Sequence, residues 1–241
     1  MSWSEELFAF LKYLRYMVIS FLVLFFIVIV FVMVLCGYAR RFIFSLDSYV
    51  DVEVITGTVL APFIALLNLA LFFTFVFYVP VGTVISLWYV WPALENPGEK
   101  RLAIAYSIAI NLVALASIPL TLYFTFPIFI NIGVVFSELL GIEPVITINS
   151  LVQTLCYGYL LNIMVFLTPI ILDAVVRFNF FGLRNTILKS KARDRAIFYV
   201  VMYWVFALIT PGDIIIATLL YTGVFIALIE TVLAIHRRKT K

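Results

Sequence analysis

From Met17 to Cys36 the chain runs for twenty residues without one charged side chain, and comparable runs recur to its end. Runs of that length limit a fold severely. A hydrocarbon core of ~30 Å takes about 20 apolar residues as an α-helix, and inside it every backbone N–H and C=O must be paired within the segment. Six runs can be drawn, at approximately 17–36, 60–90, 102–130, 150–172, 196–210 and 214–235. The expectation is one all-α polytopic membrane domain, residues 1–241, with six transmembrane helices. Composition agrees, with 65% hydrophobic residues, 12% charged residues and a mean hydropathy of +1.18, against about 25% charged in ordinary soluble domains. Soluble-enzyme and nucleic-acid-binding classes drop out, and the lipid bilayer is the first partner.

Charge sets the expected orientation. Lys12 and Arg15 precede the first run, and Lys100 and Arg101 lie between the second and third. Arg177, Arg184, Lys189, Lys191, Arg193 and Arg195 lie between the fourth and fifth, and Arg237, Arg238, Lys239 and Lys241 follow the last. Of the sixteen bases only Arg40 and Arg41 fall on the other side. Cytoplasmic connections are enriched in Lys and Arg, so both termini are expected in the cytoplasm and the domain in the cell membrane. An even number of spans requires that shared side. The start, MSWSEELFAFLKYLRY, carries acids as well as bases and enters a run too long for the core of a cleavable signal. It reads as an amphipathic lead into a permanent first span.

Segments 37–57, 131–149 and 173–195 read as loops. Pro80 is expected to kink or divide the second span, and Pro127 falls near the far end of the third. The last two spans are short. Residues 196–210 make ~22 Å of helix at 1.5 Å per residue, which fits either snug helices in a thin membrane or deliberate local thinning. Asp213, after Pro211-Gly212, is placed to cap the last helix. Cys36 and Cys156 read as ordinary apolar cysteines near the outer side, with a bridge geometrically open.

Much chemistry is missing. His236 is the one histidine and reads as a solvated interfacial residue in a basic tail. That argues against a bis-histidine haem, most histidine metal sites and a Ser-His protease. No Walker-type phosphate loop is present, and no span core carries a row of acids and bases for a proton relay. No cofactor, no metal and no covalent chemistry are expected, which leaves recognition, conduction or scaffolding.

The most polar interlude is WPALENPGEKRLA, Trp91 to Ala103. Two readings of it stand. Pro97-Gly98-Glu99 starts the third span, with Glu99 favourable at a helix N-terminus by about 0.3–1 kcal/mol and Lys100 and Arg101 as ordinary inner-face anchors. Alternatively the segment is a docking site.

The wider stretch YVPVGTVISLWYVWPALENPGEKR resembles the end of the second span and the first cytoplasmic loop of the TatC family, the multispanning receptor of the twin-arginine protein translocase. Pro80, Trp88, Tyr89, Pro92-Ala93-Leu94 and Glu99-Lys100-Arg101 stand in the family's order, followed by Phe126-Pro127, by Pro169, by Thr210-Pro211-Gly212-Asp213 and by Glu230. The likeness runs from about Met17 to Leu233. It departs in two places. The family's acid before the first span is replaced by Tyr13 or Leu14, with Glu5 and Glu6 about two turns earlier, and its acid in span four by Leu167 or Thr168.

The resemblance implies binding of twin-arginine signal peptides, single-span TatA/TatB-type partner subunits, an oligomer, and export of folded proteins driven by the proton-motive force. Arginine pairs bidentately with a carboxylate where lysine does not. One exposed pair contributes only ~0–1 kcal/mol, so at least two acids are needed. Glu99 comes first, then Glu95, Glu5 or Glu6, with Lys100 and Arg101 orienting the glutamate or holding phosphates. Pro80, Tyr89, Pro92, Pro127, Pro169, Asp213 and Glu230 are the structural or partner contacts. For Glu230, snorkelling or pairing with His236 or Arg237 stands beside contact with a partner helix. The rival functions are a scaffold that has lost substrate binding and a small-solute transporter. The latter is disfavoured by the lack of an internal repeat and by too few buried polar residues.

Overall fold

The computed structural model describes residues 3–47, 53–55, 60–141, 145–179, 183–209 and 215–239; side chains of some of these, including 3–10 and Cys36, are outside the description. Nine α-helices and two short strands follow in chain order among them: α1 Trp3–Val34, α2 Cys36–Asp47, β1 Glu53–Ile55, α3 Ala61–Val90, α4 Pro97–Leu120, α5 Phe126–Leu139, β2 Val145–Thr147, α6 Ile148–Phe178, α7 Leu183–Leu188, α8 Ala192–Ile209 and α9 Ile215–Lys239. Among the described residues, five helical stretches are long and apolar enough to cross a membrane: Leu11–Val34, Ala61–Ala93, Pro97–Leu139, Ile148–Phe178 and Thr218–Arg238. α8 is not among them. Arg193, Asp194 and Arg195 occupy its first turn, so its eighteen residues include three charges.

Several expectations are corrected. Of the two outcomes open at Pro80, a kink or a division, the division does not occur: α3 passes through Pro80 as one helix. The third span does not end near Pro127 but reaches Leu139 through a π-helical turn, Thr121–Thr125, set between Pro119 and Pro127. Each proline lacks an N–H for the ladder, and one wide turn re-registers the helix between them. α6 runs on to Phe178, so Asp173 and Arg177 belong to a helix instead of a loop. It stops at Asn179, which takes the left-handed conformation (φ 50°) and returns its N–H to the Val175 carbonyl. α5 stops where Gly141 takes φ 68° and bonds to the Glu138 carbonyl. The connections expected to be plain loops hold α2 and the two strands, which pair in parallel with Val54 opposite Ile146.

α6 is the hub, packing on α3, α4 and α9. Its N-terminus is capped by the Thr147 hydroxyl, which accepts the Ser150 N–H at 3.2 Å. One apolar cluster joins α1, α3 and α6 through Leu69, Phe72, Leu151, Leu155 and Tyr159, the Tyr159 ring standing edge-on to Phe72 at 5.2 Å. A second joins α5, α6, α8 and α9 through Phe129, Leu161, Val165, Phe206 and Phe225. The outer flanks carry exposed apolar side chains such as Phe26, Trp88 and Leu208, as expected where the surrounding solvent is lipid. Cys156 is buried and free, while the side chain of Cys36 lies outside the description.

Candidate functional site

The strands mark one end of the bundle. At the other end lie the Trp91–Arg101 turn, the C-terminal turns of α6 and α9 and the start of α8, joined by the contacts below. The start of α1 reaches the same end. The Tyr13 hydroxyl meets the Ser86 Oγ at 2.7 Å, and its ring lies 4.8 Å from that of Tyr89. Tyr78 adds a hydroxyl bond to the Met17 carbonyl at 2.7 Å. Tyr13 and Tyr89 therefore tie α1 to the end of α3, directly before the turn. Glu5 and Glu6 lie on the backbone of α1 about two turns before Tyr13, with side chains outside the description.

In the turn, Trp91–Ala93 forms one 3₁₀ turn with Pro92 exposed, and Leu94 is buried as its anchor. Asn96 has extended backbone angles and precedes Pro97, the first helical residue of α4. Its side-chain amide donates to Glu99 Oε1 at 3.2 Å, fixing the glutamate in the first turn. A carboxylate there also meets the positive end of the helix dipole. Glu99 and Lys100 are half-buried, while Glu95 and Arg101 are exposed. The Lys100 ammonium lies 5.5 Å from the centre of the Trp91 ring, a cation–π contact that folds the turn on itself.

One layer further in lies a charged cluster that sequence reasoning missed. Asp173 on α6 is held from three sides. Tyr106 of α4 donates its hydroxyl to Oδ2, Arg177 reaches the same oxygen through Nε at 2.9 Å, and His236 Nε2 of α9 lies 2.6 Å from Oδ1. The His236 side chain is only 8% exposed, so the solvated-tail reading is wrong. α9 continues as helix past Ile235 and carries the ring inward against α6. The i,i+4 spacing of Asp173 and Arg177 was the one sequence signal for this cluster, a helical ion-pair spacing.

Glu230 is also engaged differently from the pairing with His236 or Arg237 that its own helix suggested. Its Oε1 accepts from Arg195 Nε and from the Tyr199 hydroxyl, both at 2.8 Å and both from α8. Arg237 lies seven residues on, about 10 Å along the axis, whereas α8 packs alongside α9. Arg237 instead donates to the Leu188 carbonyl at 3.1 Å.

Deeper in the bundle, Asn162 of α6 donates to the Thr121 and Thr125 hydroxyls of the π turn at 2.9 and 3.0 Å. The Tyr221 hydroxyl of α9 donates to Asn162 Oδ1 at 3.1 Å. Asn111 links α4 to α3 through Thr83 at 2.9 Å. The buried polar groups are thus more numerous than the sequence suggested. Three of the remaining positions need only placing. Pro80 is exposed on α3, Pro127 is half-buried at the start of α5, and Pro169 is buried within α6. Of Leu167 and Thr168, one of which stands where the resembled family carries an acid, Leu167 is buried and Thr168 bonds back to the Met164 carbonyl. Asp213 and the turn around it lie outside the described residues.

Two solved structures share this arrangement. A crystal structure of the twin arginine translocase receptor TatC is 21% identical, with a TM-score of 0.67 over 92% of this chain and 98% of that one. A crystal structure of the same receptor in DDM, also 21% identical, gives 0.72 over 93% and 98%. Among curated proteins none matches. The model of the family described as Sec-independent protein translocase protein (TatC) matches residues 9–222, nearly the whole chain. With that match, on a multi-pass helical bundle, the chain belongs to the TatC family.

Proposed function

We propose that this chain is a translocase subunit that receives twin-arginine signal peptides at its cytoplasmic face and recruits single-span Tat subunits. Folded precursors then cross the membrane at the expense of the proton-motive force. It spans the cell membrane six times as a single domain, both termini in the cytoplasm, with α8 as the fifth span. The eighteen residues of α8 make ~27 Å of helix. The chain works in an oligomer. The basic end of the bundle is the cytoplasmic end, since it gathers the bases that the positive-inside rule assigns there.

The observation that carries this reading is the seating of Glu99, held by Asn96 at the first turn of α4, half-buried, with exposed Glu95 four residues away. A carboxylate fixed on a turn is preorganised for a guanidinium. Burial on one side weakens the solvent screening that makes a fully exposed pair worth little. Lys100 is drawn onto Trp91 and so leaves the carboxylate open to an incoming arginine. Glu230, bonded to Arg195 and Tyr199, steadies the α8–α9 pair against which a partner helix packs. A photocrosslinker at residue 99, offered signal peptides bearing Arg-Arg or Lys-Lys, should label the first strongly and the second weakly. Equal labelling contradicts recognition.

One observation favours a second reading, a scaffold without substrate binding. The place of the family's span-four acid is held by Leu167, which is buried, or by Thr168, which bonds back to its own helix, and neither carries a charge. Under that reading Glu99→Gln leaves export of twin-arginine precursors unchanged in cells lacking any other TatC.

A further inference from the structure

Resting on the reading of the turn as a signal-peptide site, we propose that Asp173 is the second carboxylate of the twin-arginine site, and that Arg177 occupies it as an internal surrogate until a substrate arginine displaces it. Recognition of two arginines needs two acids, and the first-span acid of the family is absent from its usual register. Asp173 fits on four grounds. First, it lies at the same end of the bundle as Glu99. Tyr106, which donates to it, is seven residues beyond Glu99 on α4, two turns along nearly the same helix face and about 10 Å deeper. Second, the carboxylate is 22% exposed, so it is reachable. Third, its position is fixed without Arg177, because Tyr106 on α4 and His236 on α9 hold it from two other helices. Fourth, it already binds an arginine. Arg177 touches it through Nε and is itself 38% exposed. Among the described contacts that is a one-point bond where a guanidinium is able to make two.

An incoming peptide arginine approaching in the plane of the carboxylate exchanges a single contact for a fork, while Arg177 swings out to water or lipid phosphate. Adjacent side chains of an extended segment point to opposite faces. Twin arginines therefore present two diverging guanidiniums, suited to two carboxylates at different depths instead of one. Among the described contacts, the titratable and charged groups that face Asp173 are the Tyr106 hydroxyl, the Arg177 guanidinium and the His236 ring. Of these only Arg177 is both exposed and a competitor in kind.

The test uses the full chain in lipid nanodiscs and fluorescent synthetic signal peptides carrying Arg-Arg or Lys-Lys. Arg177→Gln, which empties the site, should tighten Arg-Arg binding about fivefold, the equivalent of one freed exposed pair, with little change for Lys-Lys. Asp173→Asn should lower the Arg-Arg affinity toward the Lys-Lys value. A purely structural Asp173 predicts that Arg177→Gln leaves the affinity unchanged or weaker, and that result overturns the proposal even if Asp173→Asn fails to fold. Loss of Arg preference in Glu99→Gln together with no gain in Arg177→Gln sinks the self-occupied site and leaves the Glu99 reading standing. No preference for Arg-Arg in the unaltered chain removes both.

Discussion

The Trp91–Arg101 turn and the Asp173 cluster beneath it are about two helical turns apart and are built on opposite plans. Within the turn the contacts are local, with Asn96 to Glu99 three residues apart and Trp91 to Lys100 nine. Of these four groups Asn96 and Trp91 are exposed, and Glu99 and Lys100 are partly buried. In the cluster, Asp173 joins Tyr106 and His236 across 67 and 63 residues of sequence and brings three helices together. The difference separates two duties. A turn fixed by its own residues is able to hold or release a ligand at small cost to the fold. A cluster that closes three helices cannot lose its central charge without stranding the others.

The largest effect should come from the cluster. Asp173→Ala removes the carboxylate that Tyr106, His236 and Arg177 share, and since that carboxylate is 22% exposed the cost should lie at about 3 kcal/mol, the lower end for breaking a buried pair. Thermal unfolding in detergent should fall accordingly, and a loss below about 1 kcal/mol would erase the contrast with the turn. Next comes Gly158→Ala on α6. An added Cβ would stand 3.0 Å from Thr125 Cγ2 and 3.4 Å from Thr121 Cγ2, pressing on the π turn. Overpacking of that order costs about 1–3 kcal/mol, and an unchanged melting point would show that the turn yields freely. Asn162→Leu should cost less, about 1 kcal/mol, since interhelical hydrogen bonds in membranes are individually modest. The Thr125 and Tyr221 hydroxyls also keep their mutual bond at 2.7 Å. Unfolding of Asn162→Leu, alone and combined with Tyr221→Phe, measures the coupling.

What could be read from sequence follows the same division. Long apolar runs and the asymmetry of Lys and Arg were visible because they need no partner, and so was Glu99 at the head of α4, marked by Asn96-Pro97 before it. Tertiary pairing was not visible. Asp173 reads as a loop acid because it opens the most basic segment of the chain, just past the apolar run, yet α6 continues through it to Phe178. His236 was taken for a tail residue because RRK follows it, and only the approach of α6 shows that the ring is enclosed. For Glu230 the sequence displays only near neighbours, His236 and Arg237, beside snorkelling and contact with a partner helix, whereas its carboxylate bonds to Arg195 and Tyr199 of α8.

The most direct test of the central claim, that Glu99 in the turn recognises arginine at little cost to the fold whereas Asp173 below it both receives an arginine and ties three helices together, is one pair of readings on Glu99→Gln in nanodiscs. These are the affinity for Arg-Arg against Lys-Lys signal peptides, and the melting temperature of the same sample. The account predicts a drop in Arg-Arg affinity of about tenfold, the scale of a lost charge-assisted bond, with unfolding free energy within about 0.5 kcal/mol of the unaltered chain, as for a surface substitution. An intact Arg-Arg preference, or a loss of stability comparable to that of Asp173→Ala, would contradict it.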